Sequence, residues 1–421
     1  MKLFNKDFIL VLIGQIISLF GNSILRFALP LYMLNITKSA SLFGIVSACS
    51  FIPMIFATPI GGLIADRINK RNIMVFLDFL TASITCISMA LMGKVNLVIL
   101  ILICLILLYS IQGIYQPTVQ ASIPFLVPSN DIIQANASIN LVASLANLIG
   151  PVIGGILFGF WGIIPILYIS GLCFFAAAIM EMFINIPSVK KYKDTKFLCS
   201  ILTDMKDSFT FMIHHRPEIL KMSFIISIFN LILSACAMIG LPIVITQNLG
   251  LSLETANRLY GYVEGAMGAG SLIGGILAGV LAKNIKIRYA NLLIIICSLT
   301  FLPIAVALSS SLPVITTYVI IAASSFFMMM LASFFSIQLM SCLQILTPNE
   351  LLGKVISCAM CIVMCATPLG QAIYGIAFQH FSKIPQIIFL IAMIFTIIIG
   401  LGTTRIFRDV DKLTKTIQRG I

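Results

Sequence analysis

The sequence predicts an all-α membrane protein in which twelve transmembrane helices form two pseudo-symmetric six-helix bundles. Three observations predict it. Of 421 residues, 60% are hydrophobic and only 10% charged, whereas a water-soluble chain of this length would still have to cover itself with polar side chains. Windows of roughly 20 apolar residues, enough to cross a hydrocarbon core at about 1.5 Å per residue, recur twelve times along the chain. Finally, the chain repeats itself: Gly62 to Arg71 aligns with Gly279 to Arg288, 217 residues later, and Val127 to Ile133 aligns with Leu346 to Leu352 at an offset of 219. Two separate matches at nearly one spacing mark two copies of a six-span unit, with a central cavity where the two face each other. Period-2 alternation is absent, and a backbone in lipid must pair its amides within its own helix, so strands are excluded.

The elements follow in order. The first span, near 8–34, comes after a short charged stub, Met1 to Asp7, and is too long for the core of a cleaved leader, so it is expected to remain in the mature chain. Spans near 42–65 and 72–92 flank the run Gly61 to Arg71, a Gly-rich helix end that delivers one carboxylate and three cations to a short turn. Spans near 96–121, 138–160 and 163–185 complete the first bundle. Hydropathy then drops, Lys and Asp accumulate, and the chain divides into residues 1–189, a cytoplasmic linker 190–221, and residues 222–421. Within the linker Phe197, Ile201, Met205, Phe209 and Met212 recur every three or four residues, which predicts an amphipathic helix on the inner membrane face. The second bundle holds spans near 222–247, 258–282, 289–308, 313–342, 355–379 and 385–404. Pro53, Pro59, Pro117 and Pro303 fall inside spans, where they are tolerated and bend or closely pack helices.

Cations set the orientation, because Lys and Arg of short loops stay on the cytoplasmic side. With the amino terminus inside, the inner segments hold Lys2, Lys6, Arg67, Lys70, Arg71, the cluster from Lys190 to Lys221, Lys283, Lys286, Arg288, Lys354 and Arg405 through Arg419. The outer side has only Lys38, Lys94, Arg258 and Lys383. Both termini are then cytoplasmic in a multi-pass plasma-membrane protein. The net charge of +12 is mainly a topology signal, and no nucleic-acid partner is expected. Eleven cysteines in and around apolar spans read as small hydrophobes. Cys358, Cys361 and Cys365 share a helical face, but without a nearby His or carboxylate they predict packing, and no metal or cofactor is expected.

Asp66 at a helix end can accept hydrogen bonds from the amino end of a facing helix, where free amides and the macrodipole favour an anion. Arg67, Lys70 and Arg71 can pair with carboxylates or headgroup phosphates in contacts that break when the bundles rock; they could equally be ordinary inner-side cations. Lys283 replaces the carboxylate in the second copy. In the fifth span Gly150, Gly154 and Gly155 admit close helix approach, and Pro151 removes a donor and bends the helix.

At these residues the chain resembles the major facilitator superfamily. Gly62, Asp66, Arg67, Lys70 and Arg71 match its Gly-x-x-x-Asp-Arg-x-Gly-Arg-Arg motif, with Asn69 where a glycine is usual. Gly150-Pro151-Val152-Ile153-Gly154-Gly155 is similar to the Gly-Pro-x-x-Gly-Gly element of its exporters, thought to oppose leakage at the junction between halves. More narrowly, Ile17 to Ser23 and Leu202 to Phe209 resemble the branch of macrolide efflux proteins and siderophore exporters. The resemblance implies the major facilitator fold, gating by the inner motif, and a cavity lined by the first, fourth, seventh and tenth spans. Gln15, Asn22, Arg26, Tyr109, Gln112, Tyr115, Gln116, Asn230 and Gln338 are the polar or aromatic candidates on those spans. One departure stands out: proton-driven relatives carry Arg-x-x-Gln-Gly in the fourth span, whereas here Tyr109 precedes Gln112-Gly113. Proton coupling is the expectation, and a sodium-linked cycle stays open.

Charges inside the spans are the candidates for chemistry, because each costs at least ~2.5–3.5 kcal/mol at mid-membrane. Four qualify: Arg26, Asp78, Glu181 and Glu264. Glu264 and Arg26 fall in the outer half of the bilayer, where an acid could take a proton from outside; a structural salt bridge or a snorkelling side chain is the equal alternative for Glu264. Asp78 is expected in the inner charge network with Arg71, and Glu181 is expected to reach the interface. A wide, apolar, Met-rich chamber suits hydrophobic or amphiphilic small molecules. The expected function is therefore ion-driven efflux of macrolide-like compounds by a monomer in a bacterial membrane. An endogenous siderophore or lipid-like metabolite is the alternative cargo, since fold does not fix substrate. An intramembrane enzyme is the reading from another class, but no Ser-His pair or ligand cluster lies in the spans, and His214 and His215 fall in the linker.

Overall fold

The computed structural model of the chain describes residues 5–128, 131–186, 208–281, 287–348 and 351–419. Every regular element among them is helical. The first six are α1 (Lys6–Thr37), α2 (Ala40–Arg67), α3 (Lys70–Leu91), α4 (Leu97–Leu126), α5 (Ile132–Trp161) and α6 (Ile163–Met182). Then come α7 (Pro217–Asn248), α8 (Leu253–Leu281), α9 (Ile287–Ser309), α10 (Val314–Leu346), α11 (Leu352–His380), α12 (Gln386–Gly402) and α13 (Thr404–Arg419). Eleven of these are long and apolar enough to cross a membrane. The twelfth, α12, has 17 residues, about 25 Å of helix and the short end of the spanning range. It bends by 46° into α13.

Short polar residues start the helices where the sequence supplies them. Asn5 accepts from the Phe8 amide at 2.9 Å to open α1, and Asn96 accepts from Val98 and Ile99 to open α4. Asn69, which stands where the family prefers glycine, accepts from the Arg71 amide at 3.0 Å and so opens α3. Gly162, at φ +74°, is the single residue that turns α5 into α6.

Large apolar side chains such as Phe56, Phe76, Ile99 and Leu172 stay exposed on the helix exteriors, as befits helices whose solvent is hydrocarbon. α7 is interrupted by π-helical turns at Asn230–Ser234 and Val244–Asn248. Such turns are uncommon and tend to mark functional positions. The sequence had placed only inner-side cations after the last span, but a helix forms there: α13 is strongly amphipathic and buries Phe407, Val410 and Asp411. In the linker, Phe197, Ile201 and Met205 lie outside the described residues. Residues 208–214 are helical, with Met212 buried and Phe209 exposed.

The chain divides into two compact units, one of Met1–Tyr192 with Ile245–Gly265 and one of Lys193–Val244 with Ala266–Ile421. In the first, α1 packs against α5, α6 and α4, α2 lies along α4, and α3 lies along α6 and α4. The first part of α8, through Gly265, belongs to this unit. In the second, α9 packs on α12 and α10, α11 on α7, and α13 on the start of α9 and on α10.

Candidate functional site

One end of the first unit is built around the turn from α2 to α3. Gly61 exists there because α2 crosses α4 closely: a Cβ would come 2.6 Å from the Ile114 Cα and 2.9 Å from the Gly113 carbonyl. Gly113 answers from the other side, where an added Cβ would come 2.9 Å from the Ala57 Cβ. Gly62 faces open space. Asp66 occupies the last turn of α2, and its side chain lies outside the described residues; Arg67 is exposed. Lys70 places its ammonium over the Phe125 ring at 4.6 Å. Arg71 donates to the Ile184 carbonyl at 3.5 Å and to the Asn72 side chain at 3.3 Å. Lys70 and Arg71 thus tie the start of α3 to the end of α4 and to the chain leaving α6. Lys283 of the second copy lies outside the described residues.

The glycines of α5 serve two neighbours. Gly150 and Gly154 face α1, where added Cβ atoms would come 2.4 Å from the Ser23 Cβ and 3.1 Å from the Phe27 ring. Gly155 faces α8, where an added Cβ would come 2.7 Å from the Gly261 Cα, and a Cβ at Gly261 would in turn come 2.8 Å from the Pro151 carbonyl. Backbone therefore touches backbone along this seam. Beside it Asn35 donates to Asn257 at 2.8 Å, fully buried, and the Phe27 and Tyr260 rings stack at 5.1 Å.

That stack positions Tyr260, whose hydroxyl donates to Glu264 Oε1 at 2.6 Å. Among the described residues no cation lies within ion-pairing distance of Glu264, so the structural salt bridge does not form. Tyr260 is one helical turn before Glu264, a spacing that would have flagged it in the sequence. Arg26 does not reach Glu264 either. Its guanidinium lies over the Tyr109 ring at 3.9 Å and donates to Gln112. The cation missing from the fourth helix is thus supplied by the first, on the same glutamine that follows the family's arginine.

Two placements correct the reading by depth alone. Asp78 does not join Arg71, and Glu181 does not reach the interface: they are 2% and 0% exposed, turned into the bundle together. Ser18 donates to Asp78 Oδ1 at 2.9 Å, and Tyr115 donates to Glu181 Oε1 at 2.5 Å. The physical reason is rotation about the helix axis, which depth does not encode. Asp78 shares its face with buried Thr81, Thr85 and Ser88, and Glu181 with Phe174, Ala177 and Ala178.

The predicted cavity residues separate accordingly. Gln15 and Tyr115 are buried inside the first unit, and Tyr115 is committed to Glu181. Asn22, Tyr109, Gln112 and Gln116 are half-buried. In the second unit Asn230 opens the first π-helical turn and accepts from Ser234 at 3.2 Å, and Gln338 is half-buried. A groove of about 410 Å³ between α3 and α6 is lined by Phe79, Cys86, Tyr168 and Leu172, none of which the sequence had singled out.

The family model described as Major Facilitator Superfamily matches residues 11–360. Among curated proteins the chain is similar to Macrolide efflux protein A of Streptococcus pyogenes, 22% identical over 367 residues that cover 85% of each chain. It is also similar to Multidrug resistance protein MdtG of Rahnella sp. (strain Y9602), 31% identical over 160 residues, 37% of this chain and 38% of that one. Among solved structures it is similar to the nucleoside transporter NupG (D323A mutant), with a TM-score of 0.73, 14% identity, and coverage of 96% of this chain and 100% of that one.

Proposed function

The chain belongs to the major facilitator superfamily, a family of multi-pass membrane transporters and not of enzymes, and on that premise we propose that it is an exporter of hydrophobic or amphiphilic small molecules, macrolides among them, driven by proton antiport. Its similarity to efflux proteins over most of its length supports the direction and the cargo class. The observation that carries the coupling is Glu264, an acid on a membrane-spanning helix that accepts a hydrogen bond from Tyr260 and, among the described residues, has no cation within ion-pairing distance. A carboxylate kept only for structure would be matched by a cation or replaced by an amide, because an unpaired charge in the membrane is costly. Placement in a bacterial plasma membrane with both termini cytoplasmic, and action as a monomer, complete the reading.

The test uses the purified full chain in proteoliposomes with an imposed pH gradient and erythromycin as probe. Wild-type protein is expected to move erythromycin against its gradient, and Glu264→Gln to abolish the response to the pH gradient. Unchanged pH-driven movement in Glu264→Gln would remove Glu264 from the coupling. Movement driven by a sodium gradient alone would replace the ion.

A further inference from the structure

Four helices of the first unit carry polar groups to one buried spot that Glu264 does not involve. α3 brings Asp78, α6 brings Glu181, α4 brings Tyr115, and α1 brings Ser18. Each carboxyl accepts one hydroxyl hydrogen bond, and the two acids meet α1 one turn apart, Asp78 at Ser18 and Glu181 at Gly14. The remaining oxygens, Asp78 Oδ2 and Glu181 Oε2, are buried with no partner. So are both amide atoms of Gln15, one turn before Ser18 on α1. Next to Gln15 stands Gly14, where an added Cβ would already touch the Glu181 Cγ and Oε1 at 3.4 Å, so the lack of a side chain there leaves Glu181 its room.

We propose that Asp78 and Glu181 form one proton-binding site inside the first unit, with Tyr115 and Ser18 as positioning residues. The inference rests on the export reading and adds to it a second locus. Two carboxyls set one turn apart along α1, at Ser18 and Gly14, cannot both carry charge in an apolar interior without a counter-ion. A proton on either free oxygen removes one charge and turns an orphaned acceptor into a donor.

Among the described residues, no printed contact brings another ionisable group to either carboxyl. α5 has no ionisable side chain between Ile132 and Trp161. On α1, Arg26 is engaged with Tyr109 and Gln112, and Asp7 accepts from the Asn185 amide at the inner rim. On α3, Arg71 is turned to Ile184 and Asn72, and Lys70 to Phe125. α1 also carries exposed Lys6 and half-buried Tyr32, α2 carries Cys49 and, at its inner end, Asp66 and Arg67, and Cys86 on α3, Cys104 on α4 and Tyr168 and Cys173 on α6 complete the set.

The site is placed for exchange with the inner side. Glu181 is the penultimate residue of α6, and exposed Phe183 and Asn185 follow it directly. It is also placed to sense α1, which holds Ser18 against one carboxyl and Gly14 against the other, and which carries Arg26 two turns further on. A shift of α1 would therefore alter both carboxyl environments at once, which is how differential proton affinity between two conformations would couple to transport.

The experiment has two arms on the full-length protein in proteoliposomes. In the first, dicyclohexylcarbodiimide, which modifies protonated carboxyls in apolar surroundings, is applied across a pH series and adducts are located by peptide mass spectrometry. Adducts at Glu181 or Asp78 that fall as pH rises, with the profile displaced in Tyr115→Phe, support the site without reference to any cargo. No adduct at either residue at any pH overturns it, as does protection by sodium ions at constant pH, which would make this a sodium site. In the second arm Asp78→Asn and Glu181→Gln are each expected to lower pH-driven erythromycin movement at least tenfold, with Asp78→Glu recovering part of the loss. Unchanged pH-driven movement in both amide variants overturns the site. If wild-type protein moves no erythromycin under any gradient, the export reading falls and the labelling arm alone decides the proton site.

Discussion

Gly155→Ala tests the α5–α8 seam most directly. The new Cβ would lie 2.7 Å from the Gly261 Cα and 3.0 Å from the Asn257 carbonyl, whereas carbon atoms pack at about 3.5–4.0 Å. Both obstacles are backbone, so no side chain can swing aside and the helices must separate by roughly 0.8 Å or more. Overpacking of this kind costs about 1–3 kcal/mol. The same separation pulls on the 2.8 Å bond from Asn35 to Asn257, whose loss adds about 1 kcal/mol. Thermal unfolding of the purified protein in detergent should therefore show Gly155→Ala melting several degrees below wild type. Gly62→Ala, which meets nothing within 4 Å, should melt with wild type. A Gly155→Ala protein that melts with wild type and transports normally would refute the argument that this seam is closed backbone to backbone.

Arg26→Gln should lower transport severalfold, since it removes a cation–π contact of about 0.5–2 kcal/mol and the bond to Gln112; adding Tyr109→Arg should restore much of it by returning a cation to Gln112 from the fourth helix, as proteoliposome uptake would show. Asp66→Asn should slow turnover with little change in the amount of folded protein, read by the same assay beside size-exclusion chromatography; unchanged turnover would remove the inner motif from gating. Tyr260→Phe should weaken the pH dependence of transport less than Glu264→Gln does, because it removes one donor and leaves the carboxyl in place.

The spans and the family were legible in the sequence because hydropathy and local motifs are one-dimensional signals. Gly62, Asp66 and Arg71 could be matched residue by residue, and Gly150 to Gly155 announced a close approach before its partners were known. What was not legible is which helices meet. Ser18, Asp78, Tyr115 and Glu181 come from four helices spread over more than 160 residues, and depth alone sent two of them to the wrong surroundings. A partial signal was present: Asp78, Thr81, Thr85 and Ser88 recur at three- and four-residue steps, a polar stripe that cannot face lipid and must face the bundle. Phe407 and Val410, three residues apart, carried the same kind of signal for α13, which a scan for spans passed over. That Arg26 would stand in for the absent cation beside Tyr109 had no such signal, because the contact joins residues 86 apart.

Glu264 and Glu181 fall at different depths along their helices. Glu264 is eleven residues into α8, counted from the end predicted to be outside, and Glu181 is one residue from the end of α6 predicted to be inside. Every carboxyl left unpaired in the membrane is a standing cost, and asparagine or glutamine would fill nearly the same volume without it. Retaining acids at both depths, each held by a hydroxyl donor, makes sense if protons visit both. Whether they do so in series or independently is separable by a double-mutant cycle. If one proton passes both loci, Glu264→Gln with Glu181→Gln is no more defective in pH-driven efflux than the worse single variant. If the loci bind separate protons, the two defects multiply.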